Sequence, residues 1–222
     1  MNRRKDMLSI EAHLIEEEIK ELKYILKYPS LKNEDKKINF IKYINTKIYE
    51  DVTSFKDVLQ SDFKIYIAPD YITYGITEYL ISFNKNKIIS IPIEFSQLIG
   101  LYDISYINCY NYDLNLEKEI MLVDIFNDKA WEIDILNRSI KKKLKNTIYN
   151  NEYISESIKN EEIEKFEGIC SDQSFYIEED GIVICFSSYE IGSENFQTIE
   201  VKFTFEECEE YLSAYTINNI CI

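Results

Sequence analysis

Histidine and tryptophan occur once each in these 222 residues, proline three times and glycine five times, and each scarcity closes off a class of function. With so little glycine and proline the chain has no material for long flexible linkers or low-complexity segments, so nearly all of it is expected to fold. A single histidine cannot build the clustered ligand sets of common metal sites, and His13 reads as a solvated strand residue. Five cysteines, Cys109, Cys170, Cys185, Cys208 and Cys221, are odd in number, widely spaced and without a CxxC pair. They read as reduced thiols of a cytosolic protein, with Cys185 a small buried hydrophobe in an apolar strand. Neither GxGxxG nor GxxxxGK[ST] occurs, which leaves dinucleotide and phosphate-loop sites unsupported. No cofactor and no metal is expected.

Cations are also in short supply. Twenty-five Lys and Arg face 40 Asp and Glu, a formal charge of −15, which repels nucleic acid and anionic membrane surfaces and favours a basic protein partner, mainly through association rate. Long hydrophobic runs are missing too. Met1-Asn2-Arg3-Arg4-Lys5-Asp6 resembles the start of an export signal, but Ser9, Glu11 and His13 interrupt the apolar core that should follow, and no window approaches the roughly 18 apolar residues of a spanning helix. A cytoplasmic location is expected, or an extracellular one if a separate export segment exists.

What is present is apolar and aromatic: 45% hydrophobic residues, with 18 Tyr and 12 Phe, enough for a sizeable core. Between Met7 and Tyr28, Glu, Lys and Leu favour helix, whereas Ile10, Ala12, Leu14 and then Leu22, Tyr24, Leu26 and Tyr28 alternate on both sides of Glu16-Glu17-Glu18, which suits a hairpin. Tyr28-Pro29-Ser30 breaks that pattern. Ile38, Ile41, Ile44, Ile48, Val52, Phe55 and Leu59 then recur at three- and four-residue steps, predicting a helix over about 34–60 packed on a sheet. From Phe63 to Asn111, runs rich in Ile, Tyr and Phe (63–68, 71–83, 88–95) are broken by Pro69-Asp70 and Asn84-Lys85-Asn86, predicting an antiparallel meander. A strand, turn and return strand reaching Met121-Leu122-Val123 should follow.

Ala130, Ile133, Leu136, Ile140 and Leu144 predict a second amphipathic helix over about 129–146, with Lys141, Lys142, Lys143 and Lys145 near its end as a solvated face matched to the helix dipole. Residues 150–168 read as a loop with a short helix. A hairpin over 174–187 turns at Glu179-Asp180-Gly181, where Gly supplies positive φ, and Ile199 to Phe205 alternates as a strand with one buried face, placed at 198–204. Thr204-Phe205-Glu206-Glu207 reads as a capping turn into a short helix ending near Leu212, and Ala214 to Ile222 as a closing strand.

Three segments in order resemble one family. Lys27-Tyr28-Pro29-Ser30-Leu31-Lys32-Asn33, the pair Asn111-Tyr112-Asp113-Leu114 and Met121-Leu122-Val123-Asp124-Ile125-Phe126, and the stretch from Asp172-Gln173-Ser174-Phe175-Tyr176-Ile177 through Glu179-Asp180-Gly181-Ile182-Val183 to Ser188-Tyr189-Glu190-Ile191 are similar to the ectodomain of RsiV-type anti-sigma factors and PdaC-type peptidoglycan deacetylases. The resemblance implies an α+β fold of antiparallel sheets with two main amphipathic helices, an N-terminal portion over 1–110 and an RsiV-like C-terminal portion over 111–222 packed as one two-part unit. It also favours the hairpin for Met7 to Tyr28. It implies ligand binding rather than catalysis, the partner in the anti-sigma factors being lysozyme. One departure is Ile99-Gly100-Leu101-Tyr102, where family members often carry Gly-Gly-Ala-His.

The functional expectation is therefore a non-catalytic module that binds a protein or cell-wall-related ligand. The alternatives are an intracellular, immunity-like inhibitor of a basic protein, and a hydrolase using paired carboxylates such as Glu178-Glu179-Asp180 or Glu206-Glu207. Tyr71, Tyr74, Tyr79, Tyr102 and Tyr106 are the candidate contact residues, because aromatic rings give large contact area at low entropic cost; as sheet core or cross-strand pairs they would be structural instead.

Overall fold

A computed structural model describes residues 7–32, 38–65, 73–100, 102–132, 135–149, 163, 166–169, 172–188, 190–191 and 197–221. The chain is mixed α+β and divides into two units, Met1–Glu119 and Ile120–Ile222.

In the first unit the alternating opening segment is a hairpin. β1 (Ile10–Ile19) pairs antiparallel with β2 (Leu22–Leu31) in an unbroken register from Ile10 opposite Leu31 to Ile19 opposite Leu22. The bend falls after the glutamate triad, at Lys20, whose φ of 54° is one of the few left-handed values outside glycine. Helix α1 (Ile38–Ile65) then crosses one face of the sheet, burying Ile41, Ile44, Ile48, Val52, Phe55 and Leu59, while Ile38 stays 51% exposed. It runs five residues beyond the expected end, so Phe63 to Ile65 are helical, and the rest of the expected strand over 63–68 lies outside the described residues.

The helix returns the chain so that β3 (Thr73–Tyr79) lies parallel to β2, from Leu22 opposite Thr73 to Leu26 opposite Thr77. This pair departs from the expected all-antiparallel order, since a helix between two neighbouring strands is the connection that parallel pairing requires. β4 (Phe83–Lys85), β5 (Ile88–Ile99), β6 (Tyr102–Asp113) and the two-residue β7 (Lys118–Glu119) complete a sheet ordered β1-β2-β3-β5-β6-β7, with β4 also on β5.

Pro29 does not end β2, contrary to the sequence reading. Ladder bonds alternate between a strand's two edges, and Glu21 O, Lys27 O and Leu31 all reach away from β1, accepting from Thr73 N, Thr77 Oγ1 and Asn45 respectively. The missing donor of Pro29 belongs to that same edge, beyond the last paired position of β3, so no ladder bond is lost.

The expected return strand is β7, which stops at Glu119 short of Met121-Leu122-Val123, and the second unit opens there with a helical turn, α2 (Leu122–Ile125). Asp124 accepts from Met121 N at 2.9 Å and Met121 O accepts from Asp124 N, a local ring that a strand could not make. The second amphipathic helix arrives as α3 (Asp128–Glu132) and α4 (Ile135–Tyr149), with Ala130, Leu136, Ile140, Leu144 and Ile148 buried and Ile133 outside the described residues. A three-stranded antiparallel sheet is ordered β10-β9-β8, from β8 (Phe175–Glu178), β9 (Gly181–Phe186) and β10 (Ile199–Thr204). β9 is central and buried along its whole length, as an inner strand should be.

Gly181 is required for a different reason from the one the sequence suggests. It does not adopt positive φ; a Cβ there would stand 2.1 Å from the carbonyl oxygen of Phe203 on β10, so glycine is needed for close backbone approach. The final segment is not a strand: α5 (Ala214–Asn219) is capped by the Ser213 side chain, which accepts from Thr216 N. The expected short helix after Thr204 is a turn and a 3-10 segment, Glu209–Tyr211, ending at Leu212. Its box is present, Glu207 N donating to Thr204 Oγ1 at 3.2 Å and Thr204 N to Glu207 Oε2 at 3.0 Å.

Candidate binding surface

The end of β2 and the first turns of α1 are joined by Asn45. Its side-chain amide donates to Leu31 O at 2.9 Å and accepts from Leu31 N at 2.8 Å, filling both ladder positions that β3 is too short to reach. Beside this clamp lies an open groove of about 460 Å³ lined by Leu31, Ile38, Ile41, Lys42, Asn45 and Tyr49. His13 of β1 stacks on Tyr28 at 5.1 Å between centroids, Tyr28 meets Tyr49 at 5.9 Å, and His13 Nε2 lies 2.7 Å from Ser30 Oγ. His13 is thus half-buried in an aromatic row. Burial, with Tyr49 nearby, raises the Tyr28 phenol above its ordinary range.

β1 is the most acidic element here. It carries Glu11, Glu16, Glu17 and Glu18 and no lysine or arginine. Glu17 accepts from Tyr24 Oη and Gln60 Nε2, and burial followed by the Glu17 contact pushes Tyr24 up to about 12. Glu18 pairs with Lys23 at 2.9 Å, whereas Glu11 and Glu16 are exposed and enter no ion pair among the described residues. On the sheet face away from α1, Lys27 bridges to Glu78 at 2.6 Å.

Of the tyrosines singled out in the sequence, those whose side chains are described do not converge. Tyr74 lies on the face away from α1, since it pairs with Leu98 while its neighbours Thr73 and Gly75 face the helix. Tyr106 lies on the opposite face, stacked on Phe95 at 4.9 Å and edge-on to Phe55, and burial with Asp51 nearby pushes it up to about 12. It is core. Tyr79 also packs against the core. Tyr102 has only its backbone described, at the start of β6, and Tyr71 lies outside the described residues. The glutamates of β1 and the His13–Tyr28–Tyr49 row were missed as a surface; the period-two spacing of β1 was the signal that places Glu16 and Glu18 together on one face.

In the second unit three of the carboxylates proposed for hydrolysis, Glu178, Asp180 and Glu207, have structural partners. Glu178 and Asp180 converge on Lys202 at 2.6 and 2.8 Å, which ties the β8–β9 turn to β10 and holds Asp180 below its ordinary pKa through the Lys202 hydrogen bond. Burial opposes ionisation of Glu207, but Lys143 at 2.6 Å and Thr204 outweigh it, so this carboxyl too lies below its ordinary value. A general acid needs a shift in the opposite direction.

Lys143 is a docking residue rather than part of a solvated face. It sits well before the end of α4, donates to Lys202 O at 2.7 Å and lies 4.6 Å from the Phe203 ring centre. Glu190 has a comparable role in the Tyr-Glu-Ile connection, accepting from Gln173 Nε2 and Ser187 N, each at 2.6 Å. Cys185 and Cys208 are buried free thiols, and burial pushes Cys208 up to about 11, away from nucleophilic range. Among the described residues no group of three or more His, Cys, Asp or Glu is placed to hold a metal ion, and no helix is long and apolar enough to cross a membrane.

The family described as a protein of unknown function, DUF3298, matches residues 123–206, within the second unit. Over the longer span, a DUF3298 family member from Bacteroides fragilis shares the fold with a TM-score of 0.62 at 15% identity, covering 96% of this chain and 97% of that one. A DUF3298 family protein from Pseudomonas aeruginosa gives 0.62 at 10% identity, covering 95% and 96%. At such identities the likeness carries the fold alone. No curated protein matches.

Proposed function

We propose that this chain, with its DUF3298-like second unit, is a non-catalytic binding module that captures a basic protein. The observation that carries the reading is the concentration of negative charge on one strand: Glu11 and Glu16 of β1 stand exposed and enter no ion pair among the described residues, in a chain of net charge −15. Potentials of that sign raise the encounter rate with cationic surfaces and repel anions. They disfavour a cell-wall fragment bearing carboxylates, and they suit the lysozyme-like partner implied by resemblance to RsiV-type ectodomains. An immunity-like inhibitor of a basic toxin would use the same chemistry. The support for absence of catalysis is that Glu178, Asp180 and Glu207 are each bound to a lysine in a packing role, with Asp180 and Glu207 held below their ordinary pKa.

The test is binding of the full chain to hen lysozyme, cytochrome c and an acidic control protein, with Glu16→Lys alongside. The reading expects capture of at least one basic protein at low salt, weakened about tenfold by the charge reversal. Failure of every basic protein to bind at low salt would overturn it.

A further inference from the structure

Sheet edges are hazards that folded proteins blunt with charged side chains or with proline, bulges, very short strands or a covering segment, and among the described residues β1 carries only the first, as glutamates. Ten residues long, it pairs with β2 through a continuous register, and no described residue pairs with its outer side. The direction of its backbone groups follows from two facts. Lys32 N donates to Ser9 O at 2.8 Å, so position 9 faces β2, and Ile19 opposite Leu22 closes a two-residue turn, so position 19 does as well. Alternation then sends the N–H and C=O groups of Ile10, Ala12, Leu14, Glu16 and Glu18 outward. Ala12, Leu14, Glu16 and Glu18 are exposed, Leu14 at 53%.

We infer that this outer edge of β1 is a strand-addition site for a basic, extended segment of the partner, an assignment that rests on the basic-protein reading above. Main-chain bonds to the outward positions would supply affinity and the flanking side chains selectivity. An incoming strand with lysine or arginine at alternate positions sets cations beside Glu16 and Glu18 on one face, with Leu14 offering apolar contact between residues of the same row. A second copy of the chain is the wrong occupant, because edge-to-edge pairing would bring four glutamates from each copy, and no lysine or arginine, into one ribbon. The same charges therefore serve as the edge's protection against self-association.

The probe is a short end-blocked peptide of alternating lysine and valine, added to the full chain at low salt, with amide exchange followed residue by residue. The expected result is that the amides of Ala12, Leu14, Glu16 and Glu18 slow about tenfold or more, while those of His13, Ile15 and Glu17, already bonded to β2, change little. Leu14→Pro removes an outward donor and leaves the β1–β2 ladder intact, so it should weaken peptide binding about tenfold with inward amides still protected. Should that variant fail to fold, the exchange pattern of the unmodified chain decides alone. The assignment is overturned if the peptide does not bind, if it binds without protecting the outward amides, or if a folded Leu14→Pro chain binds it equally well. Basic proteins binding while the outward amides stay unprotected would sink strand addition and leave the capture reading standing; no binding by either probe would sink both.

Discussion

Single residues in this chain are constrained chiefly by close approach and by lysine-centred ion pairs. Gly181→Ala would drive a methyl into the Phe203 carbonyl at 2.1 Å, and rigid backbone cannot yield as a side chain can. The expected loss is about 1–3 kcal/mol, read as a lower denaturant midpoint, with the Thr204–Gly181 end of the ladder losing amide protection. Gly75 has a softer neighbour, the Leu59 side chain at 2.2 Å, and Gly75→Ala should cost less. Glu207 sets an acid-side dependence. Its folded pKa lies below the unfolded value, so its contribution is present above the unfolded carboxylate pKa and is lost as pH falls through the lower folded value. Because the group is 40% exposed, the effect should stay under about 1 kcal/mol. Lys143→Met should flatten that acid limb in pH-dependent thermal melts; an unchanged limb would show that Lys143 does not hold Glu207 ionised.

At the scale of elements, asparagines substitute for missing strands. Asn45 answers both free groups of Leu31, and Asn84 does the same for Leu8, accepting from its N–H and donating to its carbonyl, each at 2.8 Å. Asn45→Leu would orphan two backbone groups and should cost about 1–3 kcal/mol, with faster exchange at Leu31 as the local readout. Such clamps leave no trace in hydrophobic periodicity, and asparagine in sequence reads as turn. Periodicity did reveal α1, α4 and β10, because each has one buried face at its own repeat; the β8–β9 hairpin was read from its Glu179-Asp180-Gly181 turn, and the β1–β2 hairpin needed the family resemblance to decide it against a helix. Periodicity misled at the chain end: Ala214 to Ile222 is apolar enough for a strand, but Ser213 caps Thr216 and fixes a helix. The parallel β2–β3 pair was equally hidden, since pairing partners are chosen by the path of α1 rather than by either strand's own pattern.

For the whole molecule, net charge is what motivates the proposed partner. The charge of −15 favours the proposed cationic partner without saying where it would sit, and of the aromatic residues named as a surface Tyr74 and Tyr106 lie on opposite faces of one sheet. Glu16, read from sequence only as part of a charged patch between two alternating segments, belongs to the ten-residue strand β1. A partner steered by that charge should associate quickly and with strong salt dependence, while its dissociation responds far less. The most direct measurement is therefore the association rate of a basic protein such as hen lysozyme with the full chain across ionic strength. Capture by charge predicts a rate that falls at least about tenfold from low to high salt with a nearly constant dissociation rate. A rate that is insensitive to salt, or no association at low salt, would contradict it.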